Sequence, residues 1–405
     1  MTGNPLFDFT PDQADLLRHN QAAAQAALSP YACHDDAAVR ERQQRYLAPD
    51  AYLARPPFVV DVEKIMHNPF YSRCSDKTQV FSFVRNDDVC RRSFHLQLVS
   101  RVGRTIGMAL GLNLDLIEAI SIGHDLGHTP FGHEGERYLS KLYHERTQRY
   151  FNHNVHSVRL LRVMADANLC LQTYNGILAH CGEKAFLEYR PAPCDSFEEL
   201  DALLEGCYND QSNIADLRPS TLEGCVVRIS DIIAYVGKDR QDAARVHLRD
   251  LDSYEQSPLV GTQNHQIIYN LTRNIIKNSL GHDYIAMDPE VFEAIDAIRK
   301  ENYTKIYETD FVRGRLAPIE EMMGNLYMRF IDDIAAGNES SPVFRHHAHN
   351  ALMRHDYSWE LEHRPDDIVV DYIASMTDDY FIDLYRHLFP GDPLNDAVAY
   401  EPYFE

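Results

Sequence analysis

Residues 124–133 read His-Asp-Leu-Gly-His-Thr-Pro-Phe-Gly-His. Three histidines and an aspartate fall within this one stretch, and Gly127 and Pro130 force the chain to turn. The turn lets His128 and His133 leave the preceding helix and face one cavity. Imidazole and carboxylate together suit a borderline or hard divalent cation. Just upstream, Leu114, Ile117, Ile120 and His124 share one face of a helix that Asn113 or Asp115 can cap. Asp125 lies about 100° further around that helix. His124 and Asp125 therefore reach the same ion only if it sits over the helix end.

Working outward, residues 94–110 repeat apolar positions at helical spacing (Leu98, Val99, Val102, Ile106, Ala109), and Gly111 ends the helix. His95 begins this stripe and points inward, with Arg92 three residues before it. Downstream, Glu136 follows His133 by one turn. His153 stands in FNHNVHS, before another helix that Asn152 or Asn154 can cap. Asp231 sits in VVRISDIIAYVGKD, a helix apolar enough to be largely buried. Asp231, Tyr235 and Asp239 fall at i, i+4 and i+8, one stripe of that helix. Any one of these groups alone reads as a satisfied core histidine or a structural salt bridge. Their density around a single turn favours a metal site, because buried Asp and His are costly unless paired.

Helical periodicity continues over 154–165, 222–247, 263–280, 289–302, 316–335 and 367–388. Only Thr78–Val84 alternates like a strand, one arm of a small hairpin. Residues 189–220 carry several Pro-containing patches and read as an irregular surface loop or a lid. The Ala-rich NQAAAQAAL near the N-terminus reads as a peripheral helix. The class is mostly α, with no internal repeat and no coiled coil.

The 405 residues carry 39 Lys and Arg against 61 Asp and Glu, a net charge of −22. That balance disfavours a broad nucleic-acid footprint, which depends on cations neutralising phosphates. An anionic ligand needs metal ions or a concentrated set of cations. The 44% hydrophobic and 25% charged contents are globular values. The eight cysteines form no C-x-x-C pair and are too sparse for a disulfide scaffold, so reduced thiols in a cytoplasmic protein are expected. The N-terminus lacks the basic-then-apolar pattern of a signal peptide. No run of about 20 apolar residues is present to span a membrane.

The 124–133 run resembles the signature of the HD-domain deoxynucleoside triphosphate triphosphohydrolases, the bacterial dGTPase-like proteins related to the vertebrate HD-domain dNTPase. The resemblance continues through HNPFYSRCSDKTQVF (67–81), RRSFH (91–95), FNHNVHSVRLL (151–161), RISDIIAYVGKD (228–239) and DYIASMTDDYFIDLYRHLF (371–389). It thus covers most of the chain. It implies an HD helical core at 60–250, after a peripheral segment 1–59, with a helical extension 251–405 packed on the core. It also implies that His95, His124, Asp125 and Asp231 bind one divalent ion per subunit: Mn²⁺ or Mg²⁺ first, with Fe, Ni, Co or Zn as alternatives. His153, paired with Glu136, matches the catalytic histidine, and His128 matches a further active-site histidine near the α-phosphate. Arg92 matches a phosphate contact, His133 either binds phosphate or supports the residues that touch the substrate, and Tyr235 and Asp239 match sugar contacts. Gln79 would touch the sugar and Lys77 a phosphate.

The implied reaction splits a dNTP, dGTP or another, into deoxynucleoside and intact triphosphate. The family resemblance further implies homo-oligomers, hexamers among them, and a nucleotide or single-stranded DNA effector. The chain departs from the family pattern at YSRCSD before KTQVF, at Ile232-Ile233 after Asp231, and at Ser93-Phe94 before His95. These departures spare the metal set. Two other readings carry weight: another HD phosphodiesterase or nuclease, and a silent nucleotide sensor. The absence of a GYP-type signature weighs against a cyclic dinucleotide phosphodiesterase, and the complete ligand set weighs against a sensor.

Overall fold

The computed structural model describes residues 8–42, 55–181, 185–351 and 353–401. The architecture is mostly α. Its centre is a trio of helices: α3 (Arg92–Leu110), α4 (Leu114–Gly123) and α9 (Leu222–Arg245). Asn113 starts α4 by accepting from the backbone N–H groups of Asp115 and Leu116. Leu116, Ile117 and Ile120 on α4, Val99 and Ile106 on α3, and Ile229 and Ile232 on α9 are fully buried against one another. Each such side chain stabilises the fold by roughly 1.5–3 kcal/mol. α2 (Pro57–Met66), α7 (Leu171–Leu178), α10 (Asn264–Ser279) and α11 (Pro289–Asn302) complete this core.

A second apolar cluster joins α5 (Gly132–Thr147) to the C-terminal helices α12 (Arg315–Ala335), α13 (Pro365–Ala374) and α14 (Asp378–Leu388). Tyr138, Leu139 and Tyr143 of α5 pack there with Leu326, Phe330, Ile373 and Phe381. α6 (His153–Arg159) continues into a wider π turn, Leu160–Met164, and lies between the two clusters. α1 (Pro11–Ala26) is the Ala-rich helix; Thr10 and Gln13 form a capping box, and only Ala14 is buried.

Three expectations change. Thr78–Val84 forms no hairpin: Thr78 and Arg91 make an isolated bridge, as do Val84 and Glu401. The alternation there reflects loop burial of Phe81 and Phe83 against other elements. The sheet among the described residues is instead the antiparallel pair β1 (Glu188–Tyr189) and β2 (Ile285–Ala286). Residues 189–220 contain a helix, α8 (Phe197–Asn209), capped by the Ser196 hydroxyl accepting from the Glu199 N–H. The prolines draw the eye from that cap and from Leu200 and Cys207, seven apart and buried. The 367–388 periodicity is two helices, α13 and α14, separated at Ser375–Thr377, where Thr377 caps the second by accepting from Tyr380 N–H.

Among the described residues no disulfide joins any of the eight cysteines, and all but Cys33 are buried. Among these residues no helix is long and apolar enough to cross a membrane.

Candidate metal centre and catalytic site

α4 ends at Gly123, so His124 and Asp125 stand at its C-terminal end, as the sequence predicts. His95 projects from the first turn of α3, and Asp231 from the middle of α9. All four side chains are buried. His95 Nε2 lies 2.9 Å from Asp231 Oδ1 and 4.0 Å from Asp125 Oδ2. His124 Nε2 lies 3.5 Å from Asp125 Oδ1 and 3.9 Å from Asp231 Oδ1.

The donor set fits a divalent cation. His124 Nδ1 donates to the Ser121 carbonyl at 2.7 Å, which fixes the tautomer and leaves Nε2 as a lone pair. That Nε2 is buried and has no hydrogen-bond partner in the protein. Of the two buried carboxylates, Asp125 is bonded to the Arg92 guanidinium and Asp231 to the His95 ring. A cation between His95, His124, Asp125 and Asp231 would meet the orphaned lone pair and the surplus negative charge together. Burial opposes ionisation of Asp125, yet His124 and Arg92 hold its carboxyl well below the usual range. Burial likewise disfavours protonated His95, but the hydrogen bond to Asp231 together with the charges of Asp231 and Asp125 outweighs this and lifts the imidazole.

Beside this set lies a second. The donor atoms of His128, His133, Glu136 and His153 all lie within 4.8 Å of one another. The His128 and His153 rings stack at 4.0 Å. The Glu136 carboxylate accepts from the His153 backbone N–H at 2.7 Å and from its ring Nδ1 at 2.9 Å. Glu136 therefore caps α6 and orients its first side chain in one stroke. Asn152 occupies the N-cap position, but its side chain makes no capping bond. Burial raises the Glu136 carboxyl, but His153 and His133 more than reverse this and hold it ionised. Asp125 Oδ1 joins the two sets, 3.7 Å from His128 Nε2 and 3.8 Å from His153 Nε2.

Backbone geometry makes this proximity possible. A Cβ on Gly127 would sit 2.2 Å from the Ser157 backbone nitrogen, and one on Gly135 would sit 1.9 Å from the Pro130 carbonyl oxygen. Only glycine permits either approach.

The sequence analysis missed His180. Its Nε2 lies 3.2 Å from His153 Nε2 and 3.7 Å from Asp125 Oδ1. Its Nδ1 donates to the Ile177 carbonyl at 2.6 Å, so Nε2 is again a lone pair aimed inward. Burial pushes its pKa down to about 3. The signal was present: GILAH ends an apolar helix on histidine just as SIGH does at His124.

The remaining candidates divide. Arg92 is in the site, though committed to Asp125. His133 is exposed at the rim. Tyr235 and Asp239 extend along α9 from Asp231; Tyr235 OH accepts from Arg299 Nε at 3.2 Å, and Asp239 accepts from Tyr307 OH at 2.5 Å. Burial pushes Asp239 up to about 7. Gln79 Oε1 is buried without a partner. Lys77 does not face the site: its ammonium donates to the carbonyls of His128 and Ala374.

Residues 92–235 match the HD domain family, and 285–387 match the phosphohydrolase-associated domain. A deoxyguanosinetriphosphate triphosphohydrolase-like protein of Caldanaerobacter subterraneus is 31% identical over 372 residues, covering 90% of this chain and 93% of its own length. The chain belongs to that family. A second member, from Desulfatibacillum aliphaticivorans, is 29% identical over 379 residues, covering 91% and 96%. A third, from Clostridium tetani, is 28% identical over 347 residues, covering 83% and 86%. The buried His and Asp groups are thus those of an HD-domain phosphohydrolase.

Proposed function

We propose that the chain hydrolyses deoxynucleoside triphosphates, dGTP or another dNTP, at the α-phosphorus, giving deoxynucleoside and inorganic triphosphate. The observation that carries this reading is the Glu136–His153 pair set against Asp125. The relatives' names support the substrate class. His95, His124, Asp125 and Asp231 would hold one divalent cation, which when bound supplies Lewis-acid polarisation of a phosphate oxygen and acidifies water.

In the reaction a bond forms between water oxygen and the α-phosphorus, and the bond from that phosphorus to the sugar O5′ breaks. The leaving O5′ needs a proton. His153 is oriented to give it: Nδ1 is held by Glu136, so Nε2 faces the reacting centre and carries the transferable proton when the ring is charged. Burial and the nearby Arg92 push His128 well below its usual pKa, so it acts as a neutral hydrogen-bonding group beside the α-phosphate. Arg92 orients Asp125. His133, at the rim, meets the outer phosphates, and Tyr235, Asp239 and Gln79 contact the sugar.

Each dNTP, singly and in mixtures, incubated with Mn²⁺ or Mg²⁺ and resolved chromatographically, tests this reading, with Asp125→Ala alongside. Deoxynucleoside plus intact triphosphate, absent in the variant, is the expected outcome. Stepwise diphosphate and monophosphate would place attack at a terminal phosphorus and overturn it. Turnover of a phosphodiester alone would move the chain to the phosphodiesterase reading.

A further inference from the structure

A second cavity, of about 360 Å³, lies behind α6, walled by α8 and α13, and His153 is not among its lining residues. Four guanidiniums and four carboxylates line it. The inner pair is closed: Arg159 donates to both oxygens of fully buried Asp371 at 2.7 Å. Arg364 is likewise paired with Asp367. The mouth is different. Arg149 pairs there with Glu205 and Arg162 with Asp201, one turn apart on α8 and each 56% exposed, and Arg162 pairs also with Glu41, which is 39% exposed. Water screens such pairs, so an incoming anion can replace Glu205 on Arg149 at small cost and compete with the two exposed carboxylates on Arg162.

The unpartnered atoms indicate the ligand's chemistry. Arg149 Nε, Asn152 Nδ2 and His156 Nε2 all belong to lining residues and have no hydrogen-bond partner. Asn152 and His156 are 6% and 2% exposed. Gln211 Nε2 donates to Asn152 Oδ1 at 3.4 Å, which fixes the amide orientation and leaves its NH₂ free to donate. Among the described residues no lining side chain leaves a buried oxygen unpartnered. Arg149 Nε and the Asn152 amide can only donate, so the missing partner presents acceptors to them, while the neutral His156 ring takes either role at Nε2. Tyr208 lies beneath the Arg149 guanidinium at 4.2 Å and stiffens it for a planar charged contact. The volume exceeds what a lone phosphate fills and falls at the lower end of small-molecule sites.

We propose that this cavity is a binding site for a phosphate-bearing small molecule, with its phosphate at the Arg149–Arg162 mouth and its remaining acceptors toward Asn152 and His156. The site reports directly to the catalytic pair. Asn152 precedes His153, and Phe151 N–H donates to Ser140 Oγ on α5, the helix that carries Glu136. Occupancy fixes the strap 149–152 and thereby the position of His153. The inference rests on the cavity and stands apart from the substrate reading above.

The active site also binds phosphates, so the test uses Asp125→Ala without added metal, and in parallel the unmodified chain treated with chelator. Calorimetric titration with inorganic phosphate, inorganic triphosphate and deoxyguanosine monophosphate separates a free polyphosphate source from a nucleotide one. At least one is expected to bind at one per chain. Adding Arg149→Gln should weaken that binding tenfold or more, with the unliganded melting temperature nearly unchanged; Asn152→Leu removes a donor from the other wall and should weaken it too. No binding by any of the three, or binding indifferent to both substitutions, overturns the proposal.

Discussion

Asp378 accepts the backbone N–H of Phe131 at 3.1 Å across 247 residues of chain. Its other oxygen accepts from the backbone N–H and hydroxyl of Thr78. Phe131 sits in the left-handed region at φ 63°, which a bulky residue adopts only when its surroundings hold it there. The C-terminal helices thus brace the turn that carries His124, Asp125 and His128 from behind, and Lys77 adds a second brace between His128 and Ala374. Asp378→Ala should cost about 2–3 kcal/mol through the buried donors it strands. It should also weaken metal binding without touching a ligand. Thermal melts and metal titration check both. Unchanged metal affinity would make the brace purely structural.

Removing the ion should destabilise the chain, because Asp125 and Asp231 are then buried side by side with Arg92 on the first and only the His95 ring on the second. Melting temperature should rise with added Mn²⁺ in the unmodified protein, as linkage requires for anything that binds only the folded state. His124→Ala should abolish that rise. A rise that survives in His124→Ala would place the ion elsewhere.

Glu136→Gln should lower kcat by about 10²-fold or more, the usual scale for a disabled proton-transfer group. The amide oxygen can still accept one bond, but it no longer stabilises a charged His153. Metal content, measured by elemental analysis, should stay the same. Loss of metal together with rate would mean that Glu136 acts through the centre and not through His153.

Acid should destabilise the fold from about pH 6.5 downward. Burial pushes His156 to about 4 and His347 to about 3, so both are neutral in the folded chain. The unfolded chain takes up their protons near 6.5, hence it binds more protons than the native state below that value. Their contribution is complete above pH 6.5 and is lost as pH falls toward the folded values. Urea melts from pH 8 to pH 5 should show this, and His347→Gln should flatten the slope. An unchanged slope would assign the acid sensitivity to other groups.

Most of the buried His and Asp cluster was legible because its members sit where local signals converge. His124 and Asp125 end a capped, apolar helix, and Gly127 and Pro130 mark the turn. His95 and Asp231 were visible as polar residues on apolar stripes. His180 escaped because a lone histidine after an apolar run looks like core until its ring is seen beside His153. Lys77, expected at a phosphate, donates in this structure to two backbone carbonyls 51 and 297 residues away, a long-range pairing that local sequence does not reveal. The helix Phe197–Asn209 was hidden by flanking prolines, and Thr78–Val84 looked like a strand because loop burial mimics alternation.

The contact between Gly127 and Ser157 sets the turn bearing His124, Asp125 and His128 main chain to main chain against the helix bearing His153. The spacing between those two segments is therefore a gauge cut in backbone, and any Cβ at Gly127 would have to push them apart. Under the proposed function, variation is left to alter what enters, through the Tyr235–Asp239 end and the rim, while the distance over which bonds would change hands stays constant.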